Sequence, residues 1–188
     1  MELMTSNLWA NSRFSRSFGV RSVFSLVFIH LCVFVSLGGD LPTVNRVFVI
    51  ERSKNANQVC YDLNIDSRGN LNADKPLKVY WLNRTDRPGA MDNLSLIQAK
   101  YAYGYSSKSL GNGDYEITLV AFPERKLRLE KGSDGRYRAI ISIAGVRAQL
   151  TRIFEQSEPG NYTKVAWVDL YGISLNSGKE VSERIIAR

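Results

Sequence analysis

The chain has 188 residues, 44% of them hydrophobic and 23% charged, with 5 prolines and 14 glycines. That is material for one ordinary domain with its own core plus a short appendage, and it excludes disorder as the default state. The formal net charge of +7 points by reflex to nucleic acid, a reading that the N-terminus argues against.

Residues 1–39 differ in kind from the rest. Arg13, Arg16 and Arg21 form a basic lead-in, and Val23 to Leu37 reads VFSLVFIHLCVFVSL. Ser36-Leu37-Gly38 then places small residues where a signal peptidase reads them. This order is that of a signal peptide, with cleavage expected before Gly39 or Asp40. The alternative is a retained membrane anchor, but the apolar run is shorter than the roughly 18 residues of a spanning helix. Cys32 lacks the preceding small residues that bacterial lipidation needs.

Loss of the leader removes the only histidine, His30, and one of the two cysteines. Cys60 then stands alone, so no intrachain disulfide can form, although the compartment would permit one. With Arg13, Arg16, Arg21 and Glu2 gone, 22 basic and 17 acidic side chains remain, or about +5. Export to the periplasm or cell surface argues against a nucleic-acid partner. In that setting a modest basic excess meets anionic glycans or lipid headgroups, or is a soluble surface. The expected partner is an anionic glycan, a lipid or an envelope protein, with membrane contact only through the leader.

From Val44 onward the dominant signal is period-two alternation. Val47-Phe48-Val49-Ile50 is a continuous apolar run suited to a strand covered on both faces. Glu51-Arg52-Ser53-Lys54-Asn55-Ala56-Asn57 follows, and seven mostly polar residues exceed the needs of a tight hairpin. This stretch is therefore read as a loop with a purpose. Arg52 and Lys54 would clamp a carboxylate or phosphate, with Asn55 and Asn57 giving hydrogen bonds. The plainer reading is that the asparagines only shape a turn.

Gln58 to Ile65 alternates, with Val59, Tyr61, Leu63 and Ile65 on one side and Cys60 on the other as a small buried hydrophobe. Leu77, Val79 and Trp81 alternate next. Asp92 is read as the cap of a short helix carrying Leu94, Ile97 and Tyr101 and covering one face or open end of the sheet. Tyr101, Tyr103 and Tyr105 alternate through YAYGY, which on a strand puts all three on one face, as in a sugar-stacking surface beside Tyr80-Trp81. Core packing is the plainer alternative.

Further strands are read at Tyr115–Ala121, Leu127–Leu129, Tyr137–Ile143, Val146–Leu150, Val165–Tyr171 and Val181–Ile186. Between them lie Gly111-Asn112-Gly113-Asp114, Gly132-Ser133-Asp134-Gly135, Glu158-Pro159-Gly160-Asn161 and Asn176-Ser177-Gly178 as turns. The expected fold is all-β and mainly antiparallel, a β-sandwich or barrel of about 8–10 short strands with one short helix. Residues 40–188 read as a single domain, and the helices of a parallel α/β fold are missing.

The chemistry is bounded by what is absent. Without histidine there is no Ser-His-Asp or Cys-His set and no histidine metal site, and one cysteine makes no thiolate cluster. No cofactor or metal is expected. Asp62-Leu63-Asn64-Ile65-Asp66 opens like a calcium loop, but Ser67 replaces the glycine and Ala73 the closing glutamate. A frame from Asn64 places Gly69 correctly but puts Arg68 at a ligand position. An Asx-rich turn is the better reading.

Paired carboxylates remain the one enzymatic route, as in a glycan hydrolase, with Glu51, Asp62, Asp169, Glu180 and Glu183 as candidates by type. Lys126, Arg128, Arg136, Arg138 and Arg147 make a basic stripe, read as a solvated face. Three sequons, at Asn83, Asn93 and Asn161, matter only in a eukaryotic host.

VFVIERSKNANQVCYDLNID, PLKVYWLNR, AKYAYGY, IAGVRAQLTRIF and VAWVDLYG with GKEVSE together resemble an exported bacterial family, domain of unknown function 4833, over roughly residues 45–185. The resemblance implies a bacterial host, export and a single domain, and carries over no functional residue. The family is richer in Asp after YDLN, and Arg68 departs from that pattern. A non-enzymatic binding domain is the leading expectation. A carboxylate-dependent glycan hydrolase and a lipid-carrying β-barrel are the alternatives.

Overall fold

The computed structural model describes residues 45–187. The leader, with His30, Cys32 and the expected cleavage stretch, lies outside the described residues. Eleven strands and one short helix follow in the order β1 (Arg46–Arg52), β2 (Asn55–Leu63), β3 (Leu77–Leu82), β4 (Met91–Asn93), α1 (Leu96–Tyr101), β5 (Tyr105–Gly111), β6 (Asp114–Leu119), β7 (Leu127–Lys131), β8 (Tyr137–Ile143), β9 (Val146–Glu158), β10 (Asn161–Ser174) and β11 (Glu180–Ile186).

The all-β expectation holds, as one curled mixed sheet that forms a half-barrel. Strand β10 runs antiparallel along one edge of β9, from Ala148 to Glu158. The other edge of β9 is shared. Strand β8 pairs antiparallel with Val146–Gln149, and β1 pairs parallel with Arg152–Glu155. Two arms therefore leave the same edge, β1-β2-β3-β4 and β8-β7-β6-β5, and curl toward each other. Pairing is antiparallel throughout except between β1 and β9.

The core fills the space between the arms. Alternation sends Phe48, Ile50, Val59, Tyr61 and Leu77 inward from the first arm, and Ile117, Leu127, Leu129, Ala139 and Ile141 from the second. Phe48 and Tyr61 face each other across the β1–β2 ladder and their rings stack at 4.3 Å. Each of the larger side chains among them contributes roughly 1.5–3 kcal/mol of burial. Cys60 points the other way and is also buried.

A bulge in β1 sets the chemistry of one end. The β1–β2 register shifts between Arg46 and Phe48, so both Val47 and Phe48 are buried. Arg46 is thereby turned onto the outer face beside Asp62 and Tyr80. Re-aiming a side chain in this way is a common result of a bulge. The bulge, together with neighbours on both edges, accounts for the unbroken apolar run in this strand.

Several expectations are corrected. Glu51–Asn57 is not a long loop, because β1 runs to Arg52, β2 starts at Asn55 and Arg52 pairs with Asn55. Only Ser53 and Lys54 form the turn; polar side chains here lie on strands. Asp92 is not the helix cap but sits in β4 opposite Trp81. Ser95 caps α1, its hydroxyl accepting from the Gln98 backbone N–H while the Gln98 side chain accepts from the Ser95 N–H, a complete capping box.

The helix shields little: no residue of it is buried, and Leu96, Ile97 and Tyr101 are exposed. YAYGY is no single strand either, since α1 ends at Tyr101 and β5 begins at Tyr105. Gly104 between them is forced by contact, as a Cβ there would lie 1.8 Å from the Ala99 carbonyl oxygen. Eleven strands exceed the expected number because β4 is three residues long and β5 is a mostly exposed edge strand of polar sequence. No helix among the described residues is long and apolar enough to cross a membrane.

Candidate functional site

Strands β1, β2, β9, β10 and β11 present a continuous outer face. Cross-strand pairing sets Val49 opposite Arg152, Arg152 opposite Tyr171 and Tyr171 opposite Ser182. Alternation then keeps these four on one side of the sheet. They line an open cleft of about 810 Å³, with Arg46, Gln58, Arg84, Thr151 and Glu180 among the other walls.

Each basic wall is held by identifiable contacts. Arg84 lies in the β3–β4 connection, where the buried Asn83 side chain accepts from the Thr85 and Arg87 backbone N–H groups, both at 3.1 Å. Asn57 Oδ1 accepts from the Arg84 backbone N–H at 2.9 Å. A polar chain then crosses the strands. Arg84 donates to Gln58 Oε1 at 3.3 Å, Gln58 donates to Glu51 Oε1 at 2.8 Å, and Arg152 donates to Glu51 Oε2 at 3.1 Å.

The Arg152 guanidinium lies 4.0 Å from the Tyr171 ring centroid, a cation–π distance. Gly172 beside it is required by packing, since a Cβ would come within 2.4 Å of the Gln149 carbonyl oxygen. At the far wall Arg46 is paired with Asp62 and donates to the Tyr80 hydroxyl at 3.1 Å. Burial opposes the Arg46 charge, but Asp62 and Tyr80 outweigh it and its pKa is raised. Burial, then the hydrogen bond to Asp62, pushes the Tyr80 hydroxyl up to about 12. Both groups keep their charge state across ordinary pH.

Arg52 and Tyr103, singled out from separate segments, do meet, but on the core side. Arg52 donates to the Tyr103 hydroxyl at 3.1 Å and its guanidinium lies 4.5 Å from the Trp81 ring centroid. The Tyr103 ring meets Trp81 edge-on at 5.3 Å, and its hydroxyl lies 3.5 Å from Glu155 Oε2. Burial, then Glu155, raises the Tyr103 hydroxyl to about 12, and burial raises the Glu155 carboxyl. Tyr103 is 6% exposed. Lys54 and Asn55 are elsewhere, at the β1–β2 hairpin. Asn55 Oδ1 accepts from the Asn57 N–H at 3.1 Å, so the turn-shaping role is real.

The carboxylates named as catalytic candidates do not pair with one another. Glu51 meets Arg152, Asp62 meets Arg46, Asp169 meets Arg184 and Glu183 meets Arg125. Arg184 holds Asp169 below the usual range, and Arg125 with the Ala144 N–H holds Glu183 at about 2. That is the reverse of the raised pKa wanted in a general acid. Glu180 lines the cleft.

The calcium-like stretch is spent on other bonds: Asn64 donates to the Lys75 carbonyl, and Asp66 Oδ1 accepts from the Arg68 and Asn70 N–H groups at 2.9 and 2.8 Å. No cluster of acidic or thiolate metal ligands occurs among the described residues.

Sequence reasoning missed Arg84, Arg152, Tyr171 and Gln58. Arg152 and Tyr171 carried a signal, since each alternates with a core residue, Ile153 and Leu170. Their meeting depends on the β9–β10 register.

Comparison with curated proteins returns no match, and neither does comparison with solved structures. Residues 48–184 match the family model described as domain of unknown function (DUF4833), and the chain belongs to that family.

Proposed function

We propose that this is an exported, non-enzymatic binding domain of the bacterial envelope whose outer cleft takes an anionic ligand. The observation that carries this reading is the convergence of Arg84 and Arg152, beside the Asp62-paired Arg46, on one open cleft of about 810 Å³. Arg152 sits over the Tyr171 ring at 4.0 Å and donates one bond to Glu51, which pre-orients a planar donor suited to carboxylate or phosphate. Its side chain is 41% exposed, so it can be reached from solvent. Arginine beside tyrosine also suits a sugar acid, with charge read by one and the ring face by the other.

The hydrolase reading gains little, because four of its five candidate carboxylates are neutralised by arginines. The lipid carrier gains little too, because the side chains between the arms pack as a core and the cleft is lined by charge.

The test is a titration with oligogalacturonate and with its methyl-esterified, uncharged form. The free acid is expected to bind and the ester not to. Arg152→Ala is expected to weaken binding about tenfold, which corresponds to about 1.4 kcal/mol, with little change in melting temperature. Equal binding of acid and ester, or binding untouched by both Arg152→Ala and Arg84→Ala, would refute the reading.

A further inference from the structure

A second cleft, of about 650 Å³, opens where the two arms meet, lined by Asn45, Arg46, Lys131, Arg136, Arg138 and Gln149 among others. Arg46 borders both clefts. The β1 bulge that turns it outward thus makes one side chain the wall between them. Arg46 itself is occupied, by Asp62 and Tyr80, so it divides the two spaces and leaves binding to its neighbours.

The charges of the second cleft are unevenly answered. Along Arg125–Arg138, Arg125 pairs with Glu183, Lys126 with Glu116, Arg128 with Glu130 and Arg138 with Asp134. Asp134 gives both carboxylate oxygens to Arg138, at 2.9 and 2.5 Å. Lys131 and Arg136 have no ion pair among the described residues, and both line the cleft. The basic stripe is therefore mostly neutralised except where it turns into this opening. Asp134 answers Arg138 there, so the cations outnumber the carboxylate paired beside them, and an anion would offset the excess.

We infer that the ligand is an extended acidic polysaccharide lying across both clefts, with successive carboxylates meeting Arg84 and Arg152 in the first and Lys131 and Arg136 in the second. This rests on the anion-binding reading of the first cleft and goes beyond it in ligand size and class. A small anion would reach one group of cations only. Two linked half-sites gain affinity through effective concentration once the chain is long enough to reach both.

The experiment is calorimetric titration of residues 40–188 with de-esterified galacturonate, first as a trisaccharide and then as progressively longer chains. Affinity per chain is expected to rise at least tenfold at a threshold length. The double variant Lys131→Ala/Arg136→Ala is expected to abolish that rise, bringing long chains down to the affinity of the trisaccharide. Arg152→Ala is expected to weaken binding at every length. A flat length dependence with trisaccharide bound would overturn the two-cleft inference and leave the anion-binding reading standing. So would a double variant that keeps the rise. No binding at any length would overturn both. Circular dichroism of the double variant guards against misfolding, and Lys131→Gln/Arg136→Gln serves if the alanine pair fails to fold.

Discussion

Two arginines on the same β1–β9 ladder have opposite fates. Arg52, opposite Glu155, turns inward over Trp81 at 4.5 Å and donates to a tyrosine that is 6% exposed. Arg152, opposite Val49, turns outward over Tyr171 at 4.0 Å with a side chain 41% exposed. Both are arginines on aromatic rings. The inner one closes an end of the core, while the outer one presents donors to solvent. What separates them is the face of the ladder on which each falls. The nearby carboxyls differ likewise: burial raises Glu155, whereas Arg184 lowers Asp169.

The largest effect is expected on the inner side. Tyr103→Ala removes a buried ring packed on Trp81 and should cost about 3–5 kcal/mol, read as a fall in the denaturant midpoint. Tyr103→Phe keeps the ring and loses the hydroxyl that Arg52 reaches, for about 1–2 kcal/mol. Equal costs for the two would break the view that ring packing dominates there.

Acid tests a second core-side contact, since Glu183 lies opposite the buried Leu170 on the β10–β11 ladder. Glu183 has its pKa lowered from 4.5 to about 2, so its contribution is complete above the unfolded value and lost as pH falls through that window. Stability should therefore decline between about pH 4.5 and 2, and Arg125→Ala should remove much of that slope in pH-dependent melts. Glu155 has the opposite sign, since its raised pKa makes its contribution fall as pH rises.

Arg152→Ala breaks only a partly exposed pair and should cost about 0–1 kcal/mol while weakening ligand binding. Smallest of all is Lys54→Ala at the hairpin turn, expected within about 0.5 kcal/mol and without effect on ligand. Loss of binding in that variant would return the site to the hairpin tip.

Much of the fold was legible because core residues alternate. Val59, Tyr61 and Leu63, or Leu127 and Leu129, state their face without help from the rest of the chain. Strand β5 was not legible, since YSSKSLG is an exposed edge whose hydrogen bonds to β6 do not show in hydrophobicity. Glu51–Asn57 misled for a related reason: its polar side chains sit on strand residues that pair across two-residue Ser53-Lys54. The candidate cleft was least legible. Arg84, Arg152 and Tyr171 come from a loop, β9 and β10, and only pairing between distant strands assembles them. Asn57 was singled out for a ligand bond, and its Oδ1 accepts from the Arg84 backbone N–H at the edge of that cleft.

The most direct measurement is mapping of backbone amide shifts by nuclear magnetic resonance while free oligogalacturonate is added to residues 40–188. Anion binding at the outer cleft predicts shifts concentrated at Val49, Gln58, Arg84, Arg152 and Tyr171, with Ser53 to Asn55 unmoved. Shifts confined to the hairpin tip, or none at saturating probe, would contradict it.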